Sequence, residues 1–262
     1  MSKEQPNFGK IEFTKEGQIA TILLNRPRNL NAISREMARE LEVAAAECNS
    51  NDDIRCVVLI GEGERAFCAG TDIKQLDEFQ DAWSFRNRED YCLSVRQIRK
   101  PVIAAINGYA LGGGLEMALS CDIRLAAQNA MLGAPEIKLG WIGGGGMSQM
   151  LQLSAGSSNA AKMLLTGDPI DADQALNWGL ISEVLPADQL LNRAKELANT
   201  IASRAPIAAE MVKLNLDASA NIPAKYATQY ELDLQAICFG TADAVEGRAA
   251  FKEKRNPIFK RK

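Results

Sequence analysis

The sequence predicts an α/β fold with mostly parallel strands, followed by a helical C-terminal region, and three observations predict it. Residues 55–60 (RCVVLI) form a continuous apolar run of the kind carried by a strand buried on both faces. Strand-like and helix-like patterns alternate around that run, as in a parallel sheet covered by helices. Beyond Met147, apart from a short apolar stretch at 180–185, apolar residues recur at helical spacing.

The elements follow in order. Residues 10–14 and 18–24 alternate apolar and polar side chains around Glu16-Gly17 and read as a β-hairpin, ended by Arg26-Pro27. Ser34 is placed to N-cap a helix running to about Asn49, with Met37, Leu41, Ala44, Ala45 and Cys48 on one face. Residues 81–98 are charge-rich with interspersed aromatics and read as helix. Residues 102–106 (VIAAI) are a second buried strand, stopped by Asn107-Gly108, and Gly112, Gly113 and Gly114 then open a short helix. Residues 122–127 are a further strand, and Pro135 biases Ala134 away from helix, so Glu136 is expected on an extended or loop segment. Helices are expected at 147–154, 157–165, 171–178, 187–203, 206–220 and 223–239, with Pro186, Pro206 and Pro223 at their starts. The chain divides into a core over residues 1–202 and a helical region over 203–262. The faces Ile207, Met211, Leu214 and Tyr230, Leu234, Ile237 have no strand to cover, and a neighbouring subunit is their natural partner.

Composition restricts function. A net charge of −3 over 262 residues argues against a nucleic-acid surface, which wants a basic face. No apolar run approaches the ~20 residues that span a membrane. The stretch MSKEQPNFGK carries no export or organelle pattern, so a cytoplasmic location is expected. Six cysteines without a CxxC pair read as free thiols. The absence of histidine removes Ser-His-Asp and Cys-His nucleophile systems and His-bearing metal sites. Proton transfer must then use Glu, Asp, Lys, Tyr, Cys or water.

Three motifs carry chemistry. In PVIAAINGYALGGGLEMALS (101–120), a strand, a glycine turn and a helix start present free backbone N–H groups, with Glu116 in the first helical turn. An acid there can simply complement the helix dipole, but its apolar neighbours and the glycine triplet favour a catalytic reading. In GEGERAFCAGTDIK (61–74), Gly61, Gly63 and Ala66 loosely fit a dinucleotide-binding turn, but no helix starts at the third position, which discounts it. Ala69-Gly70-Thr71-Asp72 is either a second turn presenting N–H groups or a tight loop. In AMLGAPEIKLGWIGGGG (130–146), Glu136 supplies a second carboxylate. The glycines 143–146 lack the Lys-Ser/Thr of a phosphate loop and are either a flexible connection or a place where an acyl chain approaches backbone. Two converging N–H donors stabilise an oxyanion or enolate, and two carboxylates can divide base and acid roles. Glycosidases also use carboxylate pairs.

The segments AFCAGTDIK (66–74), KPVIAAINGYALGGGLEMALSCDI (100–123) and GAPEIKLG (133–140) resemble the signature stretches of the crotonase superfamily, the enoyl-CoA hydratases in particular. LNRPRNLNAI and GRAAFKEKRNPIF match the family's two ends. The resemblance implies a spiral of ββα turns with a helical C-terminal region, assembled as trimers or as hexamers built from two trimers. It implies hydration of a 2-enoyl-CoA thioester, with no cofactor besides the CoA of the substrate. By position, Glu116 and Glu136 become the acid/base pair, and the N–H groups of Thr71 and Gly113 become the oxyanion donors. Ala69, Asp72, Ile73 and Lys74 match the loop along the bound thioester. Arg28, Leu30 and Arg65 match positions near the CoA phosphates and adenosine, and Phe251 and Lys254 match a C-terminal pair reaching CoA, in some members from an adjoining subunit. The stretch 142–151 (IGGGGMSQML) departs from the family's common I-P-G-A-G-G-T-Q-R-L, which opens the acyl end to a branched, aromatic or polar group. The alternatives are another reaction on the same scaffold, namely isomerisation, decarboxylation or hydrolysis, or a non-catalytic acyl-CoA-binding protein.

Overall fold

The computed structural model describes residues 10–262, so residues 1–9 of the expected core lie outside the described residues. Strands β1 (Ile11–Glu16) and β2 (Ile19–Leu24) pair antiparallel, with Gly17 at φ +59° in the turn between them. Helix α1 (Arg35–Ser50) starts where the Ser34 hydroxyl accepts the Met37 N–H at 3.2 Å, and it buries the expected face. The chain then makes three passes of one form. Strand β3 (Cys56–Gly61) is followed by short β4 (Ala66–Cys68) and by helices α2 (Ile73–Leu76), α3 (Ala82–Arg86) and α4 (Tyr91–Arg96). Strand β5 (Val102–Ile106) is followed by β6 (Tyr109–Leu111) and α5 (Gly113–Leu119). Strand β7 (Ile123–Ala127) is followed by β8 (Met131–Gly133), a 3-10 turn (Pro135–Leu139), α6 (Met147–Ala155) and α7 (Ser157–Thr166). The chain ends with β9 (Ile170–Asp171), α8 (Ala172–Asn177), β10 (Glu183–Leu185), α9 (Leu190–Ala202), α10 (Pro206–Ser219), α11 (Ala224–Phe239) and α12 (Ala242–Glu253).

Each pass places one strand in each of two sheets, a six-stranded one of order β1-β2-β3-β5-β7-β10 and a four-stranded one of order β4-β6-β8-β9. From β2 to β10 every pairing in the larger sheet is parallel. Its central strands are apolar on both faces because both are covered. Val57, Leu59, Ala104 and Ile106 join Met37, Leu41, Val95 and Met117 in one core. Cys56, Val58, Ile60, Ile103 and Ala105 pack on the other side against Leu190, Ala194 and Ala198, one stripe of α9. Full burial of each large aliphatic side chain contributes about 1.5–3 kcal/mol.

Three expectations are corrected. Residues 81–98 form two helices, because Asp81 and Asp90 each cap a new start: Asp81 accepts the Ser84 N–H at 2.7 Å and Asp90 the Cys92 N–H at 2.9 Å. Glu136 lies in a 3-10 turn begun by Pro135, where the missing N–H costs nothing, and not on extended chain. Helix α12, capped by Thr241, is additional to the expected set, as are the short strands of the smaller sheet.

The C-terminal end is bound to the core. Glu210 of α10 is buried with its carboxylate 3.1 Å from Lys100 Nζ, just before β5, and it also pairs with Arg261, which reaches Asp52 at 2.9 Å. Arg55 donates to the Phe259 carbonyl at 2.7 Å, and Asp243 accepts the Arg261 N–H at 2.9 Å. On the expected apolar faces Leu234 is buried, whereas Leu214 and Ile237 are exposed, as are Val212, Leu216, Phe239 and Phe251. All six cysteines are free; five are buried and Cys238 is partly exposed. Burial pushes the thiols of Cys48, Cys56, Cys68 and Cys121 up to about 12. Among the described residues no helix is long and apolar enough to cross a membrane.

Candidate active site

Glu116 projects from the first turn of α5 and is only 6% exposed. Its Oε1 accepts the N–H of Gly145 at 2.8 Å and that of Met147 at 3.2 Å. The glycine run at 143–146 therefore cradles a carboxylate, a role apart from either sequence reading. The reason for glycine is steric: a Cβ on Gly143 would lie 2.9 Å from Glu116 Oε1, and one on Gly145 3.0 Å from Oε2. Arg96 of α4 donates to the Gly145 carbonyl and pairs with Asp90 at 3.1 Å, so the cradle is anchored from behind.

Glu136 faces the same cavity from the 3-10 turn. Its Oε1 sits where a Cβ on Gly112 would come within 3.1 Å, and Gly112 is at φ +55°, a conformation glycine adopts without strain. Its Oε2 is buried without a hydrogen-bond partner among the described residues. Burial pushes both carboxyls above the usual range. The charge of Glu116 pushes Glu136 further up, whereas the two amide donors partly offset the rise at Glu116.

The two turns meet. A Cβ on Gly70 would lie 2.9 Å from the Gly113 nitrogen, so the Ala69–Asp72 loop and the α5 start are in direct contact. Among the described residues neither the Thr71 nor the Gly113 N–H donates to a protein acceptor. The close approach also explains the triplet: a Cβ on Gly113 would fall 1.9 Å from the Tyr91 hydroxyl, and one on Gly114 1.9 Å from the Cys68 carbonyl oxygen. The Tyr91 hydroxyl is 3.1 Å from Thr71 Oγ1. The N-terminal segment fixes the loop. Ile33 N–H donates to the Gly70 carbonyl at 2.8 Å, Asp72 N–H to the Ile33 carbonyl at 3.0 Å, and Ala69 N–H to the Leu30 carbonyl at 3.0 Å. Buried Asn31 donates to the Ala66 carbonyl at 2.7 Å. Burial works against ionisation of Asp72, but Arg26 at 2.7 Å holds its carboxyl below the usual range.

Ala69, Thr71, Ile73, Gly113, Glu116 and Glu136 line one cavity of about 140 Å³, with Trp141 and Ile142 at its rim. The other expected contacts, Arg28, Leu30, Arg65, Asp72, Lys74, Phe251 and Lys254, do not line it. Arg28, Arg65 and Lys74 are exposed. Leu30 takes φ +53°, and Asp72 is engaged by Arg26. Phe251 is 87% exposed, and Lys254 caps the end of α12 at φ +55°. Sequence reasoning missed Tyr91, Arg96 and Asn31. Only Asn31 carried a visible hint, lying within one of the quoted matching stretches.

Two unengaged amides beside two buried carboxyls are the groups that steadying charge on an oxygen while moving a proton would call for. The chain belongs to the enoyl-CoA hydratase/isomerase family, whose model matches residues 14–262. It is 38% identical over 254 residues to a short-chain-enoyl-CoA hydratase of Clostridium acetobutylicum, covering 95% of this chain and 96% of that protein. It is 40% identical over 261 residues to a mitochondrial enoyl-CoA hydratase of Pongo abelii, covering 97% and 89%. The crystal structure of an enoyl-CoA hydratase from Bacillus anthracis superposes with a TM-score of 0.92 at 36% identity, covering 97% of this chain and 100% of that one. The expected crotonase-type fold of ββα passes is therefore the observed one.

Proposed function

We propose that the protein is an enoyl-CoA hydratase, which adds water across the C2–C3 double bond of a 2-enoyl-CoA thioester. The observation that carries this is the meeting of Glu116, Glu136 and two unengaged N–H groups, those of Thr71 and Gly113, around one cavity. The thioester oxygen lies against those two N–H groups, which stabilise it as it becomes enolate-like. Glu116, with two amide donors on its carboxylate, bears charge more readily and takes a proton from the water attacking C3. Glu136, whose Oε2 has no donor, holds its proton and delivers it to C2. The net change is OH gained at C3 and H at C2, and no cofactor is needed beyond the CoA carried by the substrate.

Arg28 and Arg65, with Leu30 between them, lie by the CoA phosphates and adenosine and supply charge there, while Ala69, Asp72, Ile73 and Lys74 form the loop along the CoA and its thioester. Phe251 and Lys254 serve a neighbouring subunit's CoA in a trimer or a pair of trimers. The exposed apolar side chains of α10–α12 support that assembly, and light scattering on the purified protein tests it. A cytoplasmic location is part of the same proposal.

Replacing Glu116 or Glu136 by Gln and following loss of the conjugated thioester absorbance tests the chemistry. Each change is expected to lower kcat by about 10²–10⁴-fold. Near-wild-type turnover in either variant would end the two-carboxylate mechanism.

A further inference from the structure

A second hollow of about 460 Å³ adjoins the catalytic cavity. The two share Thr71, Arg88, Glu89 and Tyr91 as walls. Their charges are nearly all committed: Glu89 pairs with Arg39 at 3.4 Å, Glu78 with Arg35 at 3.1 Å and Asp90 with Arg96 at 3.1 Å. Asp81 accepts the Ser84 N–H. Apart from the two catalytic carboxyls, Arg88 is the exception. Among the described residues it makes no ion pair, and its one protein acceptor is the Phe85 carbonyl, reached by Nη1 at 3.0 Å. Its guanidinium carbon sits over the Phe85 ring, 4.2 Å from the ring centre, a contact that holds the group in place. A Cβ on Gly144 would lie 3.0 Å from Arg88 Nη2, which puts that nitrogen over the loop cradling Glu116.

A half-buried guanidinium, held against an aromatic face and making no ion pair although its charge reaches Glu116, matches a planar anion bidentately. We infer that Arg88 selects the acyl group: the substrate class is a 2-enoyl-CoA whose acyl chain carries a second carboxylate beyond the double bond. This deepens the hydratase reading and rests on it. The anion comes from the substrate, so the adjoining hollow takes the distal part of the acyl chain. Arg88 acts in recognition and takes no part in bond making.

The test compares two six-carbon 2-enoyl-CoA thioesters, one ending in a methyl group and one in a carboxylate, on the full chain. Wild type is expected to favour the carboxylate-ended thioester in kcat/KM. Arg88→Met is expected to lower the ratio of the two kcat/KM values about tenfold to a hundredfold, the worth of a charge-assisted hydrogen-bond pair. Arg88→Lys restores part of the ratio. Because the readout is a ratio within one variant, loss of folded protein does not mimic it. An unaltered ratio in Arg88→Met, or a wild type that favours the methyl-ended thioester, overturns the inference and leaves the hydratase reading standing. A shifted pH profile with equal loss on both thioesters would make Arg88 a neighbour of Glu116 only, and would also overturn it. Hydration of neither thioester by wild type sinks the hydratase reading itself.

Discussion

Gly113 has no room for a methyl group, since the Tyr91 hydroxyl occupies the place of its Cβ at 1.9 Å. Gly113→Ala must therefore push apart Tyr91 and the Gly113 amide, and a displaced donor of this kind costs about 10²–10³ in kcat. Tyr91→Phe in the same chain removes the oxygen and leaves the ring carbon at 3.1 Å, so the double variant should regain part of the stability lost. Thermal denaturation and kcat of the three variants should show coupling of about 0.5–3 kcal/mol. Glu136 gives a pH signature. Its carboxyl is held above the usual range by burial, and then by the charge of Glu116. Its contribution to stability is full below the ordinary carboxylate range and is lost as pH rises through the raised value. Glu136→Gln should therefore melt with wild type in acid and above it at neutral pH, while its kcat is expected to fall. At this scale the sequence was legible in singling out residues that the fold gathers around one cavity: Glu116, Glu136, Gly112 and Gly113. Tyr91 and Arg96 were not legible, because their roles arise from a fold that lays α4 against the start of α5.

Among the elements, α4 transmits most to the site. Asp90 caps it, accepting the Cys92 and Leu93 N–H groups, and also pairs with Arg96, which holds the Gly145 carbonyl. Asp90→Ala is expected to cost about 1 kcal/mol from the lost cap. It should also lower kcat beyond what the stability change explains, because the cradle of Glu116 loosens. Chemical denaturation alongside steady-state kinetics separates the two. Long elements with clear periodicity, α1 and the strands β3 and β5, could be read directly from the residues. The strands β4, β6, β8 and β9 could not, since two or three residues are too few to show alternation. β4, β6 and β8 are the second strands of the three passes, and β9 closes their sheet by pairing antiparallel with β8. The break between α3 and α4 was written as two aspartates that also read as surface charge.

At the scale of the whole molecule, a buried ionic cluster fastens the C-terminal helices to the core. Lys100 is 1% exposed, and Glu210→Ala would leave it without its counter-charge. Removing one partner of such a pair costs about 3–5 kcal/mol, measurable by urea denaturation. Burial opposes the charge on Glu210, but Arg261 and Lys100 hold its carboxyl below the usual range. Its stabilisation is therefore present above the ordinary carboxylate value and lost as pH falls through the lowered one. This cluster pairs residues far apart in the chain, which no local pattern could announce. The cysteines leave a practical opening. Five thiols are closed off inside the fold, and the sixth, Cys238, stands near the end of α11 beside exposed Phe239. A maleimide fluorophore should thus mark the separated chain at one address without any engineering, and the shielding of that thiol as copies come together would report assembly and exchange of subunits.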